Sequence, residues 1–391
     1  MSILRLPRVL LRDPDRFGGR PEGDVQRGTA IIRDGCLVGL TDPGGDAPGS
    51  LILPGLTEAH CHLDKCHTID RLGPVGGDLA RAIAAQRADK THWTRADLTR
   101  RMQRGLREAA MAGCTLLRSH IDWGEDTDPP LAWHVLHDLA PGAGLTVQAA
   151  ALTSLDLMAD PAYARTTIAR IAADRGVPGS FVHGHDSLGP ALTNMIREAE
   201  RHGLPLDFHV DEGLGPLNGL ETIADAVLET GFQGPVLCGH AVSLIDRSPD
   251  HAARITDKLA RAGIFVCALP TTNLYLQGRT EGTPDRRGLT RLRELHAAGV
   301  RVLVGSDNVG DAFCPLGQHD PMAALHLAIL AAHLDPPLDR WLPLITTNAR
   351  AALGQPAGFL DGAPTRDLLQ SDAASLADLI AGRQPLHPYS E

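Results

Sequence analysis

Residues 51–64 read Leu-Ile-Leu-Pro-Gly-Leu-Thr-Glu-Ala-His-Cys-His-Leu-Asp. A first strand that opens a doubly wound sheet normally runs into a glycine-rich loop that cradles a phosphate or dinucleotide. Here the apolar run 51–56 leads instead into Thr57-Glu58-Ala59-His60-Cys61-His62, which has no such loop. Seven further short apolar runs follow, at 115–122, 146–152, 180–185, 205–211, 235–241, 264–270 and 301–307. Between them lie Arg- and Ala-rich stretches of helical composition and period, at 97–112, 189–202, 219–230, 252–262 and 289–298. Gly113, Gly203 and Gly299 stand where helices should end before the next strand. Eight strand-then-helix units predict parallel pairing and closure into a (β/α)8 barrel of the TIM type over residues 51–353. Residues 1–50 and 354–391 do not follow the repeat. Residues 29–40 read as a hairpin turning at Asp34-Gly35, so a small β-rich accessory domain built from both chain ends is expected.

The composition fits a globular chain. Of 391 residues, 43% are apolar and 21% charged. With 37 basic against 47 acidic side chains the formal net charge is −10, which argues against a broad nucleic-acid-binding surface. No run approaches the roughly 20 apolar residues that span a bilayer. The opening Met1-Ser2-Ile3-Leu4-Arg5 shows no stretch of signal-peptide length, so no membrane association and a cytoplasmic setting are expected. The seven cysteines contain no Cys-x-x-Cys pair, and Cys36, Cys114, Cys238 and Cys267 read as buried thiols within apolar runs.

In such a barrel, side chains at the C-terminal ends of the strands converge on one mouth. His60 and His62, two apart on a strand, point the same way and can reach one ion. By the same alternation Cys61 points away from it. His209 and Asp307 also stand at predicted strand ends. Three neutral imidazoles and a carboxylate make a borderline N/O site for one divalent ion, Zn²⁺ or Fe²⁺, with a position left open. Glu212, where the fifth strand gives way to its loop, is placed to carry protons. His240 is placed to donate a hydrogen bond to developing negative charge or to orient the nucleophile. His120 and Asp122 end the second strand, and His183 and His185 the fourth. The first pair reads as supporting rather than ligating, and the second has no assigned part. Arg286, Arg287 and Arg291 read as a solvated helix start or as a brace for the loop after strand seven. Trp93, Trp123 and Trp133 either line the mouth or pack beneath the helices.

Pro54-Gly55-Leu56-x-x-Ala59-His60-x-His62-Leu63-Asp64 resembles the first-strand signature of the amidohydrolase superfamily. Later motifs are similar to its cytosine deaminase branch: Arg118-Ser119-His120-Ile121-Asp122, His209-Val210-Asp211-Glu212, Gly239-His240, and Asn273 through Arg279. They continue in Arg286-Arg287-Gly288-Leu289-Thr290-Arg291, Gly305-Ser306-Asp307 and Pro315-Leu316-Gly317, so the resemblance runs from about residue 50 to about residue 350. It implies a metal-bearing barrel flanked by a small β-sandwich from the two chain ends. One divalent ion would be held by His60, His62, His209 and Asp307. The strand-four lysine that bridges two metals in other branches has no counterpart in 180–185, and Lys65 lies on the wrong strand to replace it.

The implied reaction is hydrolytic deamination of a nucleobase-like heterocycle, with cytosine or a related pyrimidine, purine or pterin-type ring as the small-molecule partner. Asp307 accepts a proton as water attacks the amino-bearing carbon. Glu212 protonates the adjacent ring nitrogen, His240 steadies the nucleophile or the tetrahedral intermediate, and ammonia leaves. The glutamine with which cytosine deaminases grip the pyrimidine edge is replaced here by Thr153 or Ser154, and a hydroxyl cannot present an amide's paired donor and acceptor. Asn308 replaces a second acidic residue, and Phe313 takes the aromatic position after it. Thr153, Asn308 and Phe313 are therefore the expected substrate contacts, tuned to a ring other than cytosine. The alternatives are an enzyme removing an alkylamine from a triazine-like ring or opening a cyclic amide, and a noncatalytic metal-binding barrel. The resemblance leaves room for a homo-oligomer.

Overall fold

The computed structural model describes residues 3–45, 47–73 and 75–390. Eight parallel strands form one sheet in sequence order: β1 (Leu56–Cys61), β2 (Cys114–Gly124), β3 (Thr146–Thr153), β4 (Val177–Val182), β5 (Leu206–Val210), β6 (Val236–His240), β7 (Phe265–Ala268) and β8 (Arg301–Val304). The sheet closes on itself: Cys61 bridges Asp307 in parallel, and the Asp307 backbone N–H donates to the His60 carbonyl at 2.9 Å. The (β/α)8 barrel read from the strand count is the observed fold.

The helices fall where period and composition place them, including Arg95–Met111, Leu188–His202, Gly219–Thr230, Pro249–Arg261 and Leu292–Ala297. Gly203 caps its helix in the left-handed conformation at φ 64°, a position open to glycine at little cost. Among the described residues, no helix is long and apolar enough to cross a membrane.

A second, seven-stranded sheet draws on both ends of the chain: Ile3–Pro7, Arg20–Glu22, Val25–Arg33, Cys36–Thr41, Ser50–Pro54, Leu368–Ser371 and His387–Pro388. The expected hairpin is present, with Val25–Arg33 antiparallel to Cys36–Thr41 and both turn residues at positive φ (Asp34 51°, Gly35 70°).

One expectation is corrected. The run 51–56 does not open the barrel. Ser50–Pro54 lies in the second sheet, parallel to Ile3–Pro7 and antiparallel to Leu368–Ser371. The chain changes sheet at Gly55, whose N–H donates to Asp367 and where a Cβ would lie 2.2 Å from the Thr115 side chain. The polar segment 57–61, rather than the apolar one before it, supplies β1. All seven cysteines are free, and all but the half-buried Cys36 are buried.

Candidate active site

The ends of β1, β5 and β8 bring three imidazoles and one carboxylate into mutual contact. His209 Nε2 lies 3.1 Å from His60 Nε2 and 3.0 Å from His62 Nε2. Asp307 Oδ1 lies 3.3 Å from His62 Nε2 and 3.5 Å from His60 Nε2. All four side chains are buried, and neither oxygen of Asp307 has a hydrogen-bond partner. His209 Nε2 carries at most one hydrogen and cannot bond both of its neighbours. A shared cation would satisfy the whole group. Ligand bonds of about 2.0–2.1 Å place tetrahedral donors about 3.4 Å apart, so this N/O set fits a borderline divalent ion. Burial pushes His62 and His209 well below the ordinary imidazole range, which keeps both neutral and able to ligate.

The backbone leaves the strands in an unusual conformation here. Asp211, His240, Ala241 and Asp307 all have positive φ, between 50° and 68°. Non-glycine residues in this region are held there by their surroundings and cluster at functional sites. Room for His60 comes from glycine. A Cβ on Gly239 would lie 2.7 Å from His60 Cε1, and one on Gly305 would lie 2.9 Å from the His60 carbonyl oxygen.

Glu212 and His240 flank the cluster, with His240 Nε2 3.7 Å from Glu212 Oε2. The Asn273 amide nitrogen donates to His240 Nδ1 at 3.1 Å, which leaves the imidazole proton on Nε2. Burial pushes Glu212 well above the ordinary carboxylate range and the Asp307 charge adds to the rise, which favours the protonated form. Burial also lowers His240, to about 3.

A buried polar network adjoins the cluster. Arg118 donates to Asp207 at 2.7 Å and to Gln148 at 2.8 and 3.0 Å, and His120 Nε2 sits 3.0 Å from Asp207 Oδ1. His120 stacks on His60 with ring centres 4.0 Å apart. Glu58 accepts from the backbone N–H groups of His60 and Ser306, and burial raises it to about 7.

The cluster floors a cavity of about 540 Å³. Thr153, Asn308 and Phe313 all line it. The Thr153 hydroxyl is engaged, 2.7 Å from both the Gly179 carbonyl and the Ser180 hydroxyl, and the Asn308 amide donates to Asp311 at 2.7 Å. Phe313 lies under the Lys65 ammonium, 4.9 Å from the ring centre.

Sequence reasoning missed much of the wall. Asp122 is a cavity residue paired with Lys65 at 3.2 Å and Lys90 at 2.9 Å, and it also accepts from Gln86 on the helix Leu79–Asp89. His183 stacks on Phe181, and His185 pairs with Asp156, both away from the ligand cluster. Asp211 caps the helix Gly219–Thr230 through Gly219 and Leu220. Cys61 points away, its sulfur toward the Arg118 carbonyl. Trp123 and Trp133 pack edge to face beneath the helices, and Trp93 lies against Lys90 and Arg101. Arg291 braces the loop after β6, donating to the Leu244, Ile245 and Arg247 carbonyls.

Comparison with known proteins agrees with this architecture. The Amidohydrolase family matches residues 72–360. Pterin deaminase of Rhizobium rhizogenes is 35% identical over 356 residues, covering 87% of this chain and 80% of that protein. The crystal structure of 5-methylcytosine deaminase from Klebsiella pneumoniae liganded with 5-fluorocytosine superposes with a TM-score of 0.80 at 23% identity, covering 98% of this chain and 94% of that one. N-isopropylammelide isopropylaminohydrolase from Burkholderia multivorans gives 0.73 at 22% identity, covering 98% and 95%. These two solved structures share the fold of this chain. The chain belongs to the amidohydrolase family, as a hydrolase of carbon–nitrogen bonds other than peptide bonds.

Proposed function

We propose that the protein is a metal-dependent hydrolytic deaminase of an aminated nitrogen heterocycle, with a pterin-type bicyclic ring as its preferred substrate. The observation that carries this reading is the buried Glu212, in the same cavity as His62, His209 and Asp307 and 3.7 Å from His240, beside the mutual contact of His60, His62, His209 and Asp307. Two further points support the ring. The relative named pterin deaminase is similar over most of both chains. The cavity, at about 540 Å³, offers Ile83, Leu152, Phe181 and Phe313 to the faces of a flat ring and Gln86, Lys65 and Asp122 to its polar edge.

In this reading His60, His62, His209 and Asp307 would hold one divalent ion, zinc or iron, which when bound would supply Lewis-acid activation of the attacking water at neutral pH. Asp307, kept ionised by the surrounding imidazoles against the effect of burial, takes the proton that the water loses. Glu212 gives its proton to the ring nitrogen beside the amino-bearing carbon. His240 directs its Nε2–H at the attacking oxygen of the tetrahedral intermediate, held in that tautomer by Asn273. Asp307 then passes its proton to the amino group, which departs as ammonia, while the hydroxyl proton of the intermediate goes to the Glu212 carboxylate, restoring it and leaving a ring carbonyl. Phe313, Asn308 and Thr153 shape the wall, Thr153 through its methyl group because its hydroxyl is engaged.

The test is a screen of purified, metal-loaded protein against pterin, cytosine, guanine and an N-alkylamino triazine, with ammonia and alkylamine both measured. The highest kcat/KM is expected for the pterin, with ammonia released. Alkylamine release from the triazine as the fastest reaction, or no turnover of any ring, overturns the proposal.

A further inference from the structure

A second convergence of ligating side chains lies outside the barrel mouth. His67 stands in the loop after β1, Glu108 on the helix Arg95–Met111, and His319 in the loop after β8. Glu108 Oε2 is 3.1 Å from His67 Nε2 and 3.0 Å from His319 Nδ1. One ligand atom from each of the three lies within 4.8 Å of the others. None of them lines the active-site cavity. They form part of a separate cleft of about 700 Å³, which gives solvent access to the group.

The surroundings look built. The His319 side chain is fully buried, and its Nε2 has no hydrogen-bond partner. It fits only because the helix carries Gly105 at the contact, where a Cβ would lie 3.0 Å from His319 Cε1 and 2.6 Å from Leu63. Arg104 donates to Glu108 Oε1 at 2.9 Å, which fixes the carboxylate and leaves Oε2 to the two imidazoles. His67 is held at φ 57°, with its backbone N–H donating to the Val309 carbonyl at 3.0 Å.

We propose that His67, Glu108 and His319 form a second divalent-cation site, distinct from the catalytic cluster, for an ion of the zinc or cobalt class. Two imidazoles and one carboxylate are a donor set that such ions favour, with water from the cleft completing the coordination. Ligation through His319 Nδ1 places the imidazole hydrogen on Nε2, the ring nitrogen that has no hydrogen-bond partner. The ion ties the far end of the 307–320 loop, which carries Asp307, Asn308 and Phe313, to the helix Arg95–Met111. Its role is to hold that loop, not to take part in the chemistry.

The experiment compares metal content in three proteins: the full chain as purified, His67→Asn and Glu108→Gln. Each is equilibrated with excess Co²⁺, washed by gel filtration and counted by mass spectrometry. Asparagine tolerates the left-handed backbone of His67, and glutamine keeps the shape of Glu108, so folding is retained in at least one variant and checked by circular dichroism. The parent protein is expected to hold one cobalt per chain more than either folded variant and to show a cobalt-dependent rise in Tm that the variants lack. Equal cobalt content in parent and variants overturns the proposal. Because the readout is a difference, it does not depend on what the His60, His62, His209 and Asp307 cluster holds.

Discussion

Glu212 carries the pH behaviour of the proposed reaction. Its raised pKa means that the protonated form persists above the range where an exposed glutamate ionises. Because that form is the proton donor, kcat/KM falls as pH rises through the shifted value and the donor is lost. Glu212→Gln keeps the shape of the side chain, but its amide has no acidic proton to give. It is expected to retain the metal and lose about 10²–10⁴-fold in kcat, measured by ammonia release alongside metal content. Turnover near the parental rate removes Glu212 from the mechanism. At this scale the sequence reads unevenly. His60, His62, His209 and Asp307 are legible because a barrel sends strand ends to one place. Asn273 and Gln86 are not, since the partners that give them meaning, His240 and Asp122, lie 33 and 36 positions away.

Among the elements, the first barrel strand is the one that apolar patterning misplaces. The expected helix 219–230 is the observed Gly219–Thr230, and 189–202 differs from Leu188–His202 by one residue. The first strand was misplaced because apolar character marks burial, and both Ser50–Pro54 and Leu56–Cys61 are largely buried. What separates them is that Glu58 and His60 face a polar barrel interior with partners at the ends of other strands, a feature no local pattern encodes. The same interior explains Gly239. Its position on β6 faces His60 of β1, and alanine there puts a methyl group 2.7 Å from the imidazole. Gly239→Ala is expected to leave the circular dichroism spectrum unchanged while weakening metal retention about 10–100-fold against a chelator. Unchanged affinity shows that His60 can yield without cost to the site.

For the molecule as a whole, closure and chemistry occupy the same place. The last seam of the barrel joins β1 to the end of β8, where Asp307 N–H meets the His60 carbonyl and Cys61 bridges Asp307. The two residues that fasten the ring are also two of the four proposed metal donors. A breach at this join separates Asp307 from the histidines while the other strand pairs stay intact. Mild heating is therefore expected to abolish turnover, and to release the ion, several degrees before helical ellipticity is lost; simultaneous loss of both means that the ring opens elsewhere. Such an enzyme carries its own integrity check, since only a fully fastened cylinder has a working centre and a half-assembled chain cannot attack bystander metabolites.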